Sequence, residues 1–197
     1  MIYLIITTSI NNKYGNNRER KERYLYSISE TLKLLPKEIT PIIVENNGMD
    51  VPFLNLLGNV IYTNNNIHRF KNKGVNEMLD IKEVIQNFEM DDIIIKLTGR
   101  YRALSPQFFN YVIKNQNYDA IVKFFNVCTM NFEPDDCVLG CYAIKVKYLK
   151  MFNALSMENS SPECVFAKYV KMVCNFKEIE YLDIECCFSD DLRILHV

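Results

Sequence analysis

Hydrophobic and polar positions along the first hundred residues switch repeatedly between strand-like runs and helical spacing. Residues 3–8 are an apolar, β-rich run ending in Thr7 and Thr8, and residues 11–20 are polar and contain Gly15, a loop pattern. Apolar positions then recur at helical spacing over residues 19–35 (Tyr24, Leu25, Ile28, Leu32, Leu35), and Pro36 closes that helix. Residues 40–45 predict a second strand, followed by Asn46, Asn47 and Gly48, residue types that tolerate positive φ in a turn. One or two helical turns are expected over residues 51–57, a third strand over 59–63 and a polar stretch over 64–73. Residues 75–88 have helical periodicity through Met78, Leu79, Ile81, Val84, Ile85 and Phe88. The near-continuous apolar run at 92–97 is the kind a parallel sheet covered on both faces requires, and it ends in Thr98, Gly99 and Arg100.

The second half is less regular. Ser105-Pro106 and Ser161-Pro162-Glu163 each pair a capping residue with a proline suited to the first helical position, opening helices to residue 113 and to about residue 173. Strands are expected at 119–127, 138–146 and 180–187, with a short helix at 148–152. There is no repeat, low-complexity segment or linker, so the chain reads as one α/β domain over residues 1–197. The expected architecture is a single open mixed sheet, mostly parallel in its first half, with helices on both faces. In such sheets ligands sit beyond the carboxyl ends of the strands, here residues 7–9 (including Thr7 and Thr8), 45–48 (including Asn46), 63–66 and 98–100 (including Thr98 and Gly99).

Composition narrows this reading. A formal net charge of −1 gives no global attraction to nucleic acid or to an anionic membrane. The longest apolar runs fall far short of the ~20 residues that span a bilayer. Met1 is followed at once by a strand-like run, with neither a basic start nor a small-residue cleavage site, so a cytoplasmic location is expected. Richness in Asn, Ile and Lys suggests an AT-rich genome, viral or low-GC bacterial, and host cytoplasm if viral. The seven cysteines, all from Cys128 onward, lack paired spacing and have only two histidines beside them, which disfavours zinc and favours small buried hydrophobes. Asp190, Asp191 and His196 near the end could gather a metal only by folding back.

No glycine-rich dinucleotide fingerprint, P-loop or nucleophile elbow is present, and two histidines leave little room for a hydrolytic triad. What the chain does carry is an order of pieces. Ile43-Val44-Glu45-Asn46-Asn47-Gly48 ends the second strand, Asn72-Lys73-Gly74 opens a helix, and a fourth strand runs from Asp91-Asp92 to Leu97. Over residues 1–104 this order resembles the nucleotide-binding half of GT-A-fold glycosyltransferases, especially the inverting family-2 type. The resemblance implies a nucleotide-sugar-binding half at 1–104, an acceptor-side half at 105–197, a nucleotide-sugar donor (UDP or GDP) and a glycan or other hydroxyl acceptor. Glu45 and Asn47 would hold the nucleoside, and Lys73, Arg100 and Arg18 the diphosphate. The divalent metal (Mn or Mg) of that family binds an Asp-x-Asp at the end of the fourth strand, where this chain has Thr98-Gly99-Arg100. A guanidinium can bind phosphate oxygens directly, so Arg100, with Lys96 or Lys73, is expected to replace part of the metal's role.

Arg18, Arg20, Lys21 and Arg23 stand at a helix start, where cations and backbone amides can face one phosphate. An inverting transfer needs a carboxylate base, for which Glu163 matches the resemblance best. Asp136 is a further candidate, although Asp135 and Asp136 are adjacent and their side chains would diverge on a strand. Tyr62, Tyr101, Tyr118, Tyr142 and Tyr148 could stack on a base or sugar, but with 12 Tyr and 12 Phe most aromatics must fill the core. Two other functions fit the same sheet. One is a nucleotidyltransferase, whose usual glycine-rich basic loop residues 7–12 lack; the other is a non-catalytic nucleotide- or glycan-binding module.

Overall fold

The computed structural model describes residues 1–11, 17–124, 136–188 and 192–197. Its first half alternates as the periodicity predicts: β1 (Ile2–Thr8), α1 (Asn17–Lys33), β2 (Ile39–Glu45), the short α2 (Pro52–Asn55), β3 (Val60–Tyr62), α3 (Lys73–Val84) and β4 (Ile93–Thr98). After these come β5 (Arg102–Ala103), α4 (Gln107–Lys114), β6 (Ala120–Val122), β7 (Cys141–Lys145), α5 (Val146–Met151), α6 (Pro162–Val173), β8 (Phe176–Glu178), β9 (Ile184–Cys187) and β10 (Ile194–His196). Ser161 caps α6, accepting from the Cys164 amide, with Pro162 in the first turn. Pro106 precedes α4 as its cap residue, one place earlier than expected, and Ser105 Oγ accepts from the Gln107 amide. The expected strand at 138–146 is shorter, because residues 139–140 turn and Val146 already begins α5. Residues 125–127 of the expected strand at 119–127 lie outside the described residues.

Seven strands form one sheet in the order β3-β2-β1-β4-β7-β6-β8, and β10-β9-β5 form a second, smaller one. Strands β3, β2, β1 and β4 are mutually parallel, whereas β7 runs antiparallel to both β4 and β6. Alternation along the strands feeds two hydrophobic layers, one per face. Leu4, Ile6, Ile95 and Leu97 pack with Tyr24 of α1 and Phe108 and Val112 of α4. Ile5, Ile94, Tyr142 and Ile144 pack with Met78 and Ile81 of α3, Leu149 of α5 and Phe166 of α6. Six cysteines fall among the described residues, and of these Cys137, Cys141, Cys186 and Cys187 are buried, as expected of small hydrophobes.

Register places the chemistry. Thr7 is level with Thr98 across β1–β4, Thr8 is level with Glu45 across β1–β2, and Leu97 faces Cys141 across β4–β7. The ends of β1, β2 and β4 and the start of β7 therefore share one edge. From β1 the chain proceeds outward to β2 and β3 and returns to β4 on the other side of β1, and such a switch point opens a crevice.

Candidate functional site

A cleft of about 470 Å³ occupies that edge. Its floor is the ends of β1 and β4, and its far rim is the first turns of α3 and α6, which meet where Gly74 lies against Pro162; a Cβ on Gly74 would come within 2.9 Å of the proline ring. Of the residues singled out in the sequence, Thr7, Thr8, Asn46, Lys73, Lys96, Thr98, Arg100 and Glu163 line this cleft. Glu163 stands in the first turn of α6, where Ser161 Oγ donates to its Oε2 at 2.9 Å.

The cationic centre is a pair of guanidiniums. Arg20, on α1 one turn before Tyr24, donates from Nε to the Ser9 carbonyl (2.9 Å) and from Nη2 to the Tyr24 hydroxyl (3.1 Å). Arg100, just past β4, donates to the same hydroxyl from Nη1 (3.2 Å) and to the Cys187 carbonyl from Nε (3.3 Å). Both line the cleft, and Arg20 is only 6% exposed. Among the described residues no carboxylate comes within ion-pair distance of either; Glu45 and Glu77 act on them only from further off. Burial lowers the Arg20 pKa, and the neighbouring Arg100 charge adds to the effect. Two like charges held on one hydroxyl, with no carboxylate partner among the described residues, make a site that an anion would relieve.

Behind this pair lies a neutralised network. Lys96 is fully buried, and its ammonium contacts Glu77 Oε1 (3.0 Å), Thr98 Oγ (2.7 Å) and the Leu139 carbonyl (3.0 Å), while Thr7 Oγ also donates to Glu77. Burial raises the Glu77 pKa, but Lys96, the Thr7 hydroxyl and Arg100 together outweigh it, and the carboxylate is held below its usual range. Asp80, one turn further along α3, accepts from Thr63 Oγ (2.7 Å) and Asn65 Nδ2 (2.8 Å); burial pushes its pKa up to about 6 against those bonds. Tyr101 closes the other end of the cleft, its ring so close over Gly140 that an added Cβ would meet it at 2.1 Å.

Five expected site residues stand off the cleft wall. Arg18 is on the outer face of α1, 89% exposed and paired with Glu22 at i+4, so the inward cation of that helix is Arg20. Glu45 is fully buried and accepts from Thr8 Oγ, the Ile10 amide and Asn47 Nδ2, which leaves Asn47 in the same turn rather than in the cleft. Burial raises the Glu45 pKa against those bonds. Gly99 serves packing: a Cβ there would lie 2.8 Å from Thr8 Cγ2, 2.9 Å from Tyr24 and 3.0 Å from the Thr7 carbonyl. Asp136 is completely buried. Of the five tyrosines only Tyr101 lines the cleft; Tyr142 packs in the core on Phe166, and the Tyr62 and Tyr148 hydroxyls bond Asn55 and Asp119. Arg20, Glu77 and Asp80 complete the cleft. Arg20 carried a readable signal, since stepping back four residues at a time from Ile28 through Tyr24 along the buried stripe reaches it.

Among the described residues no three His, Cys, Asp or Glu side chains converge as a metal site. The cleft carboxylates are individually engaged, Glu77 by Lys96, Asp80 by Thr63 and Asn65, and Glu163 by Ser161. The described residues thus offer no gathered set of ligands for a divalent ion, and Asp135, Asp190 and Asp191 lie outside the described residues. No helix among the described residues is long and apolar enough to cross a membrane.

No protein-family profile and no curated protein sequence matches the chain. Solved structures do. A cytidylyltransferase from Leptospira borgpetersenii superposes with a TM-score of 0.60 at 10% identity, over 92% of this chain and 76% of that one. A Desulfovibrio desulfuricans protein assigned as a nucleotide-diphospho-sugar transferase gives 0.58 at 10% identity, over 90% and 79%. A mannosyltransferase from Pyrobaculum calidifontis, solved with GDP-Man and Mn2+, gives 0.56 at 8% identity over 90% of this chain, which spans only 54% of that enzyme. What this chain shares with these proteins is the fold, a GT-A, Rossmann-like α/β arrangement.

Proposed function

We propose that the chain is a glycosyltransferase that moves a sugar from a nucleotide-diphosphate donor to a hydroxyl acceptor. The observation that carries this reading is the guanidinium pair on Tyr24, held in the cleft without a carboxylate partner among the described residues. In the reaction the acceptor hydroxyl oxygen attacks the anomeric carbon, the bond from that carbon to the diphosphate breaks, and the diphosphate departs with the electron pair. Arg20 and Arg100 would meet the charge that grows on the departing oxygen, an effect strongest in a site partly withdrawn from water. Lys73 on the α3 rim is a further cation of the cleft. If configuration inverts, Glu163 on the α6 rim would take the acceptor proton.

The test is turnover of UDP-, GDP- and CMP-sugars, with and without Mn2+, by the wild-type chain and by Arg100→Ala. The variant is expected to lose about 10²-fold or more in turnover, with its fold intact by circular dichroism. Near-normal turnover in the variant sinks the phosphate role of Arg100. Ligand-induced thermal stabilisation separates binding from chemistry. A donor that stabilises without turnover with any sugar acceptor points to a binding module, and pyrophosphate release from a nucleoside triphosphate and a sugar 1-phosphate points to a nucleotidyltransferase.

A further inference from the structure

Glu45 lies at the end of β2 where the resemblance implies a nucleoside contact, yet its surroundings describe a different task. Its side chain is wholly inside the protein, and its oxygens are occupied by the first turn after β1: Oε2 accepts from Thr8 Oγ at 2.7 Å, and both oxygens lie 3.3 Å from the Ile10 amide. Asn47 Nδ2 also donates to Oε1, and Asn47 is held in turn by Asn66 Nδ2 at 2.6 Å. Between Thr8 and Ile10 sits Ser9, and Ser9 is the residue on which the arginine site is built. Its amide donates to the Tyr24 hydroxyl at 3.2 Å, and its carbonyl accepts from Arg20 Nε at 2.9 Å. The Tyr24 hydroxyl in turn receives Arg20 and Arg100. The carboxylate thus holds Thr8 by its hydroxyl and Ile10 by its amide, on either side of Ser9, and the peptide backbone between them links that clamp to the hydrogen bonds that reach both guanidiniums.

We infer that Glu45 is a positioning residue for the anion site: by clamping Thr8 and Ile10 it holds the Ser9 backbone, and through it Tyr24, Arg20 and Arg100, in the geometry that receives a diphosphate. This rests on the diphosphate reading above. A carboxylate suits the task because every group aimed at it is a donor. A glutamine in its place would remove the charge that strengthens these bonds and turn an NH2 to one side of the clamp. Neither the Ile10 amide nor Asn47 Nδ2 can accept it there, and Thr8 Oγ can do so only by giving up its own bond to the side chain and donating to the Val44 carbonyl instead.

The experiment compares inorganic pyrophosphate with UDP and GDP, by calorimetric titration of the wild-type chain and Glu45→Gln, and follows the Arg20 Nε–H resonance by NMR in both without ligand. The expected result is that Glu45→Gln binds pyrophosphate about tenfold more weakly, with an equal loss for UDP and GDP, and that the Arg20 Nε–H signal loses its protection from exchange. Unchanged pyrophosphate binding overturns the inference. So does a loss confined to UDP and GDP, which would make Glu45 a direct nucleoside contact. The resonance needs no ligand and decides the clamp by itself. A wild-type chain that binds no pyrophosphate, together with an Arg20 signal that does depend on Glu45, would refute the diphosphate reading and uphold the clamp. Should Glu45→Gln not fold, Thr8→Val, which removes only the hydroxyl aimed at Oε2, is expected to weaken pyrophosphate binding about threefold and to loosen the same resonance.

Discussion

Lys96 occupies a position on β4 that strand alternation would give to an apolar residue, since it follows Ile94 on the face covered by α3. Its aliphatic stem fills that place, and its three donors are all taken by Glu77, Thr98 and the Leu139 carbonyl. It therefore has no donor left for a phosphate, and it acts by fixing Glu77 and the end of β4. Lys96→Met would leave the Glu77 carboxylate without its partner. Breaking a buried pair costs ~3–5 kcal/mol, and the low end applies because 27% of the Glu77 side chain is open to the cleft. Urea denaturation should show that loss, and the double variant Lys96→Met/Glu77→Gln should recover much of it. If the double variant is no more stable than the single one, the pair is not what holds this edge. At this scale the sequence was legible where a residue's neighbours follow its own element: Thr98, Arg100 and Glu163 all face the cleft. It was misread where two cations of one helix differ only in face. Arg18 and Arg20 are the same residue type on the same helix, and only the buried stripe through Tyr24 and Ile28 distinguishes them.

Among the elements, α3 and α6 carry the rim, and the contact between their first turns depends on Gly74. Helix propensity alone predicts that Gly74→Ala stabilises α3 by up to ~1 kcal/mol. The Pro162 ring lies 2.9–3.0 Å from where that methyl would go and cannot rotate away. Overpacking of this kind typically costs ~1–3 kcal/mol. Gly74→Ala should therefore lower the melting temperature, and Gly74→Ala/Pro162→Ala should restore part of it; a stabilised single variant would show that the two helices move apart freely. The sequence announced α6 by its cap, Ser161 accepting from the Cys164 amide, and α3 by its periodicity, two residues late because Asn72, which accepts from the Gly74 amide, is its cap. It announced the four parallel strands by their apolar runs. It did not announce β5, β8 or β10. β5 has two residues, and β8 is exposed at Lys177 and Glu178, so neither can show an alternation. Each of the three exists only through its pairing partner: β9 for β5 and β10, and β6 for β8.

For the whole molecule, two carboxylates with opposite shifts set the pH dependence of stability. Burial raises the Glu185 pKa, but Arg102 and Arg23, at 3.0 and 2.8 Å, outweigh it and hold it down to about 2. A carboxylate whose folded pKa is depressed stabilises the fold above its unfolded pKa, and that contribution is lost as pH falls from about 4.5 toward 2. Asp80 has the opposite sign. Its folded pKa of about 6 exceeds the unfolded 3.8, so the folded chain takes up a proton first and gains stability as pH falls from above 6 to about 4. At ~1.4 kcal/mol per unit each effect is on the order of 3 kcal/mol, and Glu45, raised by burial, acts in the same direction as Asp80. The two windows meet near pH 4–5, so the chain should be most stable in mild acid rather than at neutrality. Chemical denaturation from pH 3 to 8 checks this. Asp80→Asn should flatten the limb between pH 4 and 7 and leave the acid limb in place, while Glu185→Gln should flatten the acid limb alone. A stability maximum at pH 7 or above, or an Asp80→Asn profile parallel to wild type, would mean that Asp80 does not carry its proton into the folded cleft. The placement of Asp80 makes this a statement about the site as well. Asp80 lines the same cleft as Arg20 and Arg100, so its protonation changes the charge of the cleft as well as the stability of the fold.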